Sequence, residues 1–457
     1  MKPFAPARLL ACGLMVSFSV ASATSVLADP DEQSSDHAQI GGAAPAHSNQ
    51  PILLTTGQKA IDQLALALLE TEEAKAAREQ QKRTWLTLPP AQTEDGMATL
   101  ENALDGGIFQ ALRGLVRDPA RPSFSGGVIA AHSYGGLSIP SSQFFGDNSD
   151  RIYRSVAVSS EYTYQIIGRR NTSPSNTDFS FETPSQILYA KDIDVADDGS
   201  FSIIVDTNPT TPGQRNHITL TPQTTSVLVR DTLADWNNQL PNSLEIKRTD
   251  SRTAPPAPTL DTLRPGIISA VQSKFVQNNN FLKFMNLQAV NDITPIVRSD
   301  SDGLIGNVGA LNPFSLKDDE ALVFTVVPFS AEYVGIQTLD PWTRSVEYKN
   351  DFGSLSDKQV QKNPDGSITY ILSVNDPGYY NWLSTGKLHT GGVLLRLEGF
   401  SNPKEPDIVK DKLIRDIKLV RISDLRAELP ESAIKVTAKE RAMQLEKRKQ
   451  GFLKRVQ

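Results

Sequence analysis

The sequence predicts a mainly β protein with flanking helices, built on two tandem, related β-sandwich domains of jelly-roll-like character. Three observations lead there. After Ser123, short apolar runs of β type alternate with turn signals. A second stretch of the same kind follows a helical interruption. Small motifs recur in the same order in both stretches.

Residues 1–28 read as a signal peptide. Lys2 and Arg8 give a basic start, and Leu9 to Val20 is an apolar run too short to span a bilayer comfortably. Val26 and Ala28 put small or modest side chains where a signal peptidase needs them, so cleavage near Ala28 and a periplasmic or secreted location are expected. Residues 29–55 read as a disordered leader, Asp29 to Gln50 carrying almost no large apolar side chain, with His37 and His47 as solvent decoration. Residues 56–121 are helical. Ile61, Leu64 and Leu68 recur near helical spacing, a charged run follows from Glu70 to Arg83, and a further helix covers Met97 to Val116. Asp118-Pro119 stops it.

Residues 122–248 form the first β-sandwich, with strands at Ile152 to Val158, Tyr162 to Gly168, Ser200 to Val205, Ser226 to Arg230 and Leu244 to Arg248. Residues 249–261, with three prolines, form a linker. Residues 262–320 hold a helix, kinked near Pro265, and a connecting loop. Phe275, Phe281, Phe284 and Leu287 make the buried face of that helix. Residues 321–422 form the second β-sandwich. Residues 423–457 form a charged C-terminal helix that packs on the body or on a partner.

Composition excludes several function classes. Cys12 is the only cysteine and leaves with the signal peptide, so disulfides, thiolate nucleophiles and zinc–thiolate clusters are excluded. Loss of Lys2 and Arg8 takes the 46 basic residues to 44, against 52 acidic ones, a balance of −8. That argues against nucleic acid as a partner. No later stretch is apolar enough for a transmembrane helix, so an integral membrane protein is not expected. No cofactor is implied.

The repeat rests on four motif pairs. Ser159-Ser160-Glu161-Tyr162 matches Ser330-Ala331-Glu332-Tyr333, and Asp198-Gly199-Ser200 matches Asp365-Gly366-Ser367. Asn216-His217-Ile218 matches Asn381-Trp382-Leu383, and Val227 to Arg230 matches Val393 to Arg396. Gly199 and Gly366 supply the positive φ of a tight hairpin. Arg230 and Arg396, each ending a buried strand, call for carboxylate partners and read as structural clamps.

Asp340-Pro341-Trp342, Arg344 to Tyr348, Asn363 to Ser367 and Asn381-Trp382-Leu383 before Arg396 form a further set. It resembles the C-terminal domain of the bacterial domain-of-unknown-function-1214 family. Asp147-Asn148-Ser149-Asp150 with Tyr153, Tyr164 to Arg170, and Arg230 with Asp235-Trp236 are similar to the region preceding that domain. The resemblance covers roughly Pro122 to Phe400. It implies a β-rich fold and no established reaction, so no catalytic residue is carried over.

Candidate sites are few. Ala131-His132-Ser133-Tyr134-Gly135-Gly136 resembles a nucleophile elbow, with His217 or His389 as base. An elbow needs a helix starting at the serine, whereas Gly135-Gly136, Ile139 and Pro140 follow, so a Gly-rich turn is expected. Asp300-Ser301-Asp302-Gly303 begins like a calcium loop but lacks the closing Glu, and no metal site is assigned. Trp342, Tyr348, Trp382 and His389 are the ligand-binding candidates, because aromatics at the open end of a sandwich stack on flat ligands; core packing is the competing role. The resulting expectation is an exported cell-envelope protein that binds a small ligand or a protein partner between or at the ends of its β-domains. The alternatives are an envelope serine hydrolase using Ser133 and a structural protein that forms homo-oligomers.

Overall fold

The computed structural model describes residues 55–127, 129–171, 175–298 and 307–456. The expected signal peptide with Cys12, the leader up to residue 54 and the Asp300-to-Gly303 loop lie outside the described residues.

Three helices open the described chain: α1 (Thr56–Leu69), α2 (Glu72–Trp85) and α3 (Glu94–Val116). Thr55, Thr71 and Thr93 cap them, each side chain accepting a backbone N–H of the first turn. The Thr71 cap is why the apolar run and the charged run are two helices.

The first sandwich uses β1 (Ser125–Gly127), β2 (His132–Tyr134), β3 (Leu137–Ile139), β4 (Arg151–Ala157), β5 (Tyr164–Arg169), β6 (Asp178–Glu182), β7 (Ile187–Tyr189), β8 (Ser200–Asp206), β9 (His217–Thr219), β10 (Ser226–Thr232) and β11 (Ser243–Arg248). Its front sheet has the order β1-β4-β10-β6-β7 and its back sheet β11-β5-β8-β9, while β2 and β3 form a separate hairpin. The proline-rich linker ends in a single turn, α4 (Leu260–Leu263), and the long helix α5 (Ile267–Asn286) follows.

The second sandwich uses β12 (Ile296–Val297), β13 (Val308–Ser315), β14 (Glu320–Val326), β15 (Tyr333–Leu339), β16 (Ser354–Ser356), β17 (Ile368–Ser373), β18 (Trp382–Ser384), β19 (Thr390–Glu398), then α6 (Glu405–Val409) and β20 (Ile414–Arg421). Its front sheet is β12-β13-β19-β15-β16 and its back sheet β18-β17-β14-β20. It therefore begins before residue 321: β12 and β13 lie within the expected connecting loop. Asn312 and Pro313 disguise β13, yet its Leu311, Phe314 and Val308 are buried. Two elements complete the chain, α7 (Leu425–Glu428) and α8 (Ala438–Leu453).

Strand for strand, the two sandwiches have the same order, with β4 corresponding to β13 and so on to β11 and β20. Even the parallel pair β8/β9 recurs as β17/β18. Gly199 and Gly366 precede the equivalent strands β8 and β17 with φ of 84° and 82°. Asn216 and Asn381 precede the equivalent β9 and β18, and Arg230 and Arg396 lie in the equivalent β10 and β19. The first motif pair is a correction. Ser159 to Tyr162 joins β4 to β5, whereas Ser330 to Tyr333 joins β14 to β15, one connection later.

The sandwiches differ in what covers them. In the first, β5, β8 and β10 alternate buried and half-exposed positions, as strands with one solvated face do. In the second, β15 and β17 are buried on both faces. Helices α3 and α5 pack on the outer side of its front sheet over Leu311, Leu339 and Leu394. α2 joins them through Trp85, and α1 packs on α3 and on β1 of the first sandwich. Leu425 and Leu429 cover Val323 and Ile371 on its back sheet.

Candidate functional site

The structure does not bring the sequence-predicted residues together. Ser133 is exposed on β2, opposite Ser138 of β3, with Gly135 and Gly136 at positive φ in the turn. A strand follows the serine where an elbow needs a helix. No histidine hydrogen-bonds to Ser133 among the described residues. His217 is buried in the first sandwich, between Asp206 at 3.0 Å and Thr210 at 2.8 Å. His389 is half-exposed near Asp318 at 3.2 Å, while its backbone N–H donates to Asp95 of α3 at 2.8 Å.

The aromatic ligand face is corrected as well. Trp342 is fully buried, stacked on Trp85 at 4.5 Å, with its indole N–H donating to the Gly96 carbonyl at 2.7 Å. It pins the helical layer to the second sandwich. Tyr348 is buried against Trp236 and Phe452. Trp382 is buried beside Phe352, and its indole N–H donates to the Ser373 carbonyl at 3.3 Å. Three of the four candidates are core residues, because the layers over the second sandwich close the ends that would otherwise be open.

The clamp residues split. Arg230 donates to Glu182, as a strand arginine with a carboxylate partner should. Among the described residues Arg396 has no carboxylate partner; it donates to Gln337 at 3.4 Å and to the Gly146 carbonyl at 2.6 Å. Gln337 stands at the position of Glu182, since Leu228 pairs with Glu182 and the equivalent Leu394 pairs with Gln337.

The residues that do assemble lie on the seam between the sandwiches. Equivalent rows of the two front sheets meet there. The first sheet contributes Arg151, Thr232 and Asp178, one row across β4, β10 and β6. The second contributes Glu398 and Tyr333, a row across β19 and β15. Arg151 donates to Glu398 and, at 3.3 Å, to Thr232. Tyr333 donates its hydroxyl to Asp150 at 2.7 Å and receives an N–H from Asn148 at 3.1 Å. Asp147 accepts from the Ser345 hydroxyl at 2.5 Å and from its N–H at 3.1 Å.

Burial sets the protonation behaviour of this seam. Asp147 is pushed up to about 6 by desolvation, against the pull of its Ser345 hydrogen bonds. Asp150 is raised for the same reason, although Tyr333 and Trp236 donate to it. Asp178, half-buried at the outer end of the row, is pushed up to about 6 by desolvation and by the neighbouring Glu398 charge. Among the described residues it has no ion pair and accepts no hydrogen bond from another side chain. Glu182, Arg230 and Tyr189 continue the same outer face across β6, β10 and β7. The closed inner part of the seam is a structural lock. The outer part offers a proton-sharing carboxyl beside fixed charges.

α8 closes the seam from behind. Arg441 and Arg448 of α8 and Arg455 of the turn after it recur every seventh residue, and all three are buried. Arg441 donates to Asp376 and to the Tyr379 carbonyl. Arg448 donates to the Tyr348 carbonyl and the Ser354 hydroxyl. Arg455 donates to the Ser149 carbonyl at 2.5 Å. The Trp236 ring lies 4.2 Å from the guanidinium of Arg448 and 4.3 Å from that of Arg455. Among the described residues, no three His, Asp or Glu side chains converge as metal ligands would, and no helix is long and apolar enough to cross a membrane.

No family model matches the chain, and no curated protein does. A crystal structure of an uncharacterized protein from Burkholderia cenocepacia is similar at 23% identity and a TM-score of 0.62, covering 79% of this chain and 99% of that one. That likeness shows the fold alone: a mainly β protein with flanking helices and tandem sandwich-like domains. The VPA0106 protein from Vibrio parahaemolyticus matches at 9% identity and a TM-score of 0.35, covering 57% of this chain and 86% of that one, too loosely to bear on the fold.

Proposed function

We propose that this chain is an exported cell-envelope protein of the domain-of-unknown-function-1214 type, and that its two sandwiches hold a neutral polar ligand at the outer end of their seam. One observation carries the ligand reading. Among the described residues, Asp178 is a carboxyl without a side-chain partner, set where both domains contribute groups and pushed up to about 6 by burial and the Glu398 charge. Such a group accepts from ligand hydroxyl or amide donors when ionised and donates when protonated. Glu182, Arg230 and Tyr189 beside it supply further acceptors and donors. The export reading rests on Lys2, Arg8, the apolar run and Ala28.

Both parts have direct tests. Saturation-transfer NMR against a panel of neutral oligosaccharides is expected to find a binder whose signal is lost in Asp178→Ala and kept in Ser133→Ala. A panel without any binder sensitive to Asp178 sinks the ligand reading. Mass spectrometry of the mature protein is expected to place its start near Asp29. A mature species retaining Lys2 and Arg8 sinks the export reading.

A further inference from the structure

A second group of titratable side chains lies away from the seam, where the helical layer meets the first sandwich. Arg113 and Arg117 stand one turn apart near the end of α3, and Lys274 comes from α5. Arg113 is spoken for: Asp62 lies 2.8 Å from it, and Asp62 also accepts from Tyr134 at 2.5 Å and from Gln58 at 3.0 Å. Among the described residues, Arg117 hydrogen-bonds only to the Ser125 hydroxyl, at 2.7 Å, and has no carboxylate in contact. Lys274 has no hydrogen bond or ion pair among the described residues; its ammonium lies 5.9 and 6.0 Å from the ring centres of Phe144 and Phe145. Among the described residues, Arg113 and Arg117 therefore share one carboxylate, and half-buried Lys274 pairs with none.

Burial without a counter-ion is costly for a cation. Lys274 shows the cost, pushed down to about 8 by desolvation and by the charge of Arg117. Arg117 is pushed down to about 10 by desolvation and by the charge of Arg113. Arg117 also lines an open groove of about 340 Å³ between the end of α3 and the proline-rich linker. Its walls are apolar, formed by Leu115, Pro119, Pro256, Pro258 and Leu263. The one carboxylate there, Asp118, is held by Arg121 at 2.7 Å and by the Ala120 N–H at 2.8 Å.

We propose that this groove binds an amphipathic anion, an aliphatic carboxylate of fatty-acid type. Its head neutralises Arg117, a wall residue, and the charge of nearby Lys274, which is not itself a wall residue but feels the Arg117 charge. Its chain lies along the Leu115, Pro119, Pro256 and Leu263 walls. The volume suits a small ligand, at the lower end of the range for such sites. A charge-assisted contact satisfies the unpaired cations, and the apolar walls reward an alkyl chain.

The test uses the mature protein and three probes: laurate, dodecanol and inorganic phosphate, titrated calorimetrically. Laurate is expected to bind, and dodecanol and phosphate to bind far more weakly. Arg117→Gln and Lys274→Met are each expected to weaken laurate by about tenfold or more, the scale of a lost charge-assisted hydrogen bond. In the wild-type protein, a limiting amount of an amine-acylating reagent is expected to modify Lys274, with laurate protecting it. That measurement stands even where a variant fails to fold. Absence of laurate binding overturns the proposal. So does equal binding of dodecanol, which removes the role of the charge, or equal binding of phosphate, which removes that of the walls. Labelling of Lys274 that laurate leaves unchanged overturns it too.

Discussion

Asp147 shows how a single side chain ties stability to pH. Buried at the seam, its carboxyl is raised from 3.8 to about 6. The folded state therefore binds a proton more tightly than the unfolded chain does. Its contribution is fully present below the unfolded value and is lost as pH rises through about 6. Between pH ~4 and ~7 the wild-type protein is expected to lose roughly 2–3 kcal/mol relative to Asp147→Asn, whose side chain does not ionise. Urea midpoints of both proteins across that range check it, and a difference independent of pH would contradict it. The residue was visible in the sequence only as part of the Asp147-to-Asp150 run. Nothing local says that four polar residues in a row are buried, because partners such as Ser345 and Tyr333 lie nearly 200 positions away. The same distance effect hid Asp178, whose neighbour Glu398 belongs to the other sandwich.

At the scale of elements, local signals served well where a segment's environment is local. Of the first-sandwich strands, β4, β5, β8, β10 and β11 were legible from periodicity and breakers, as were the helices ending at Val116 and starting near Pro265, while the short β1, β2, β3, β6, β7 and β9 were not. The early start of the second sandwich was not, since Asn312 and Pro313 break the apolar pattern of β13 while neighbouring strands bury it. α8 inverts the usual expectation of charge outside and apolar inside. Met443 is 64% exposed, while Arg441, Arg448 and Arg455 are buried. The seven-residue spacing was the available signal, and it reads as an ordinary charged helix until the stacking on Trp236 is known. Arg448→Ala removes donors from the Tyr348 carbonyl and Ser354 as well as the stack on Trp236. A loss of about 3 kcal/mol is expected, from buried acceptors left without donors. Chemical denaturation measures it; a loss below about 0.5 kcal/mol, the size of a surface effect, would show that the arginine is incidental.

For the whole molecule, the question is whether two sandwiches of the same strand order behave as two units. The seam joins them through Arg151 with Glu398 and Asp150 with Tyr333. α8 and the turn that follows it span both, from Asp376 in the second to Ser149 and Trp236 in the first. Calorimetry is therefore expected to show one transition for the mature chain. Removal of the segment from Thr437 onward is expected to lower and split it, the first sandwich unfolding at the lower temperature because its outer faces carry less cover. Two separated transitions in the intact chain would show that the seam does not couple the domains.

The equivalence of the two sandwiches has a further use. Each residue in one has a twin in the other, at the same place in the fold but with different surroundings. Gly199 and Gly366, or Arg230 and Arg396, are alike because the fold asks for them. Glu182 and Gln337 differ because the surroundings do. The carboxylate is kept where water reaches it, and the amide where Gln337 is only 1% exposed and its arginine has turned to a carbonyl. The molecule thus contains its own control experiment. Wherever twins agree, the backbone is the cause; wherever they part, the neighbours are. Asp178 stands opposite Tyr333 in that ledger, an acid where its twin is a locked phenol, and this places the difference between the two domains at the seam.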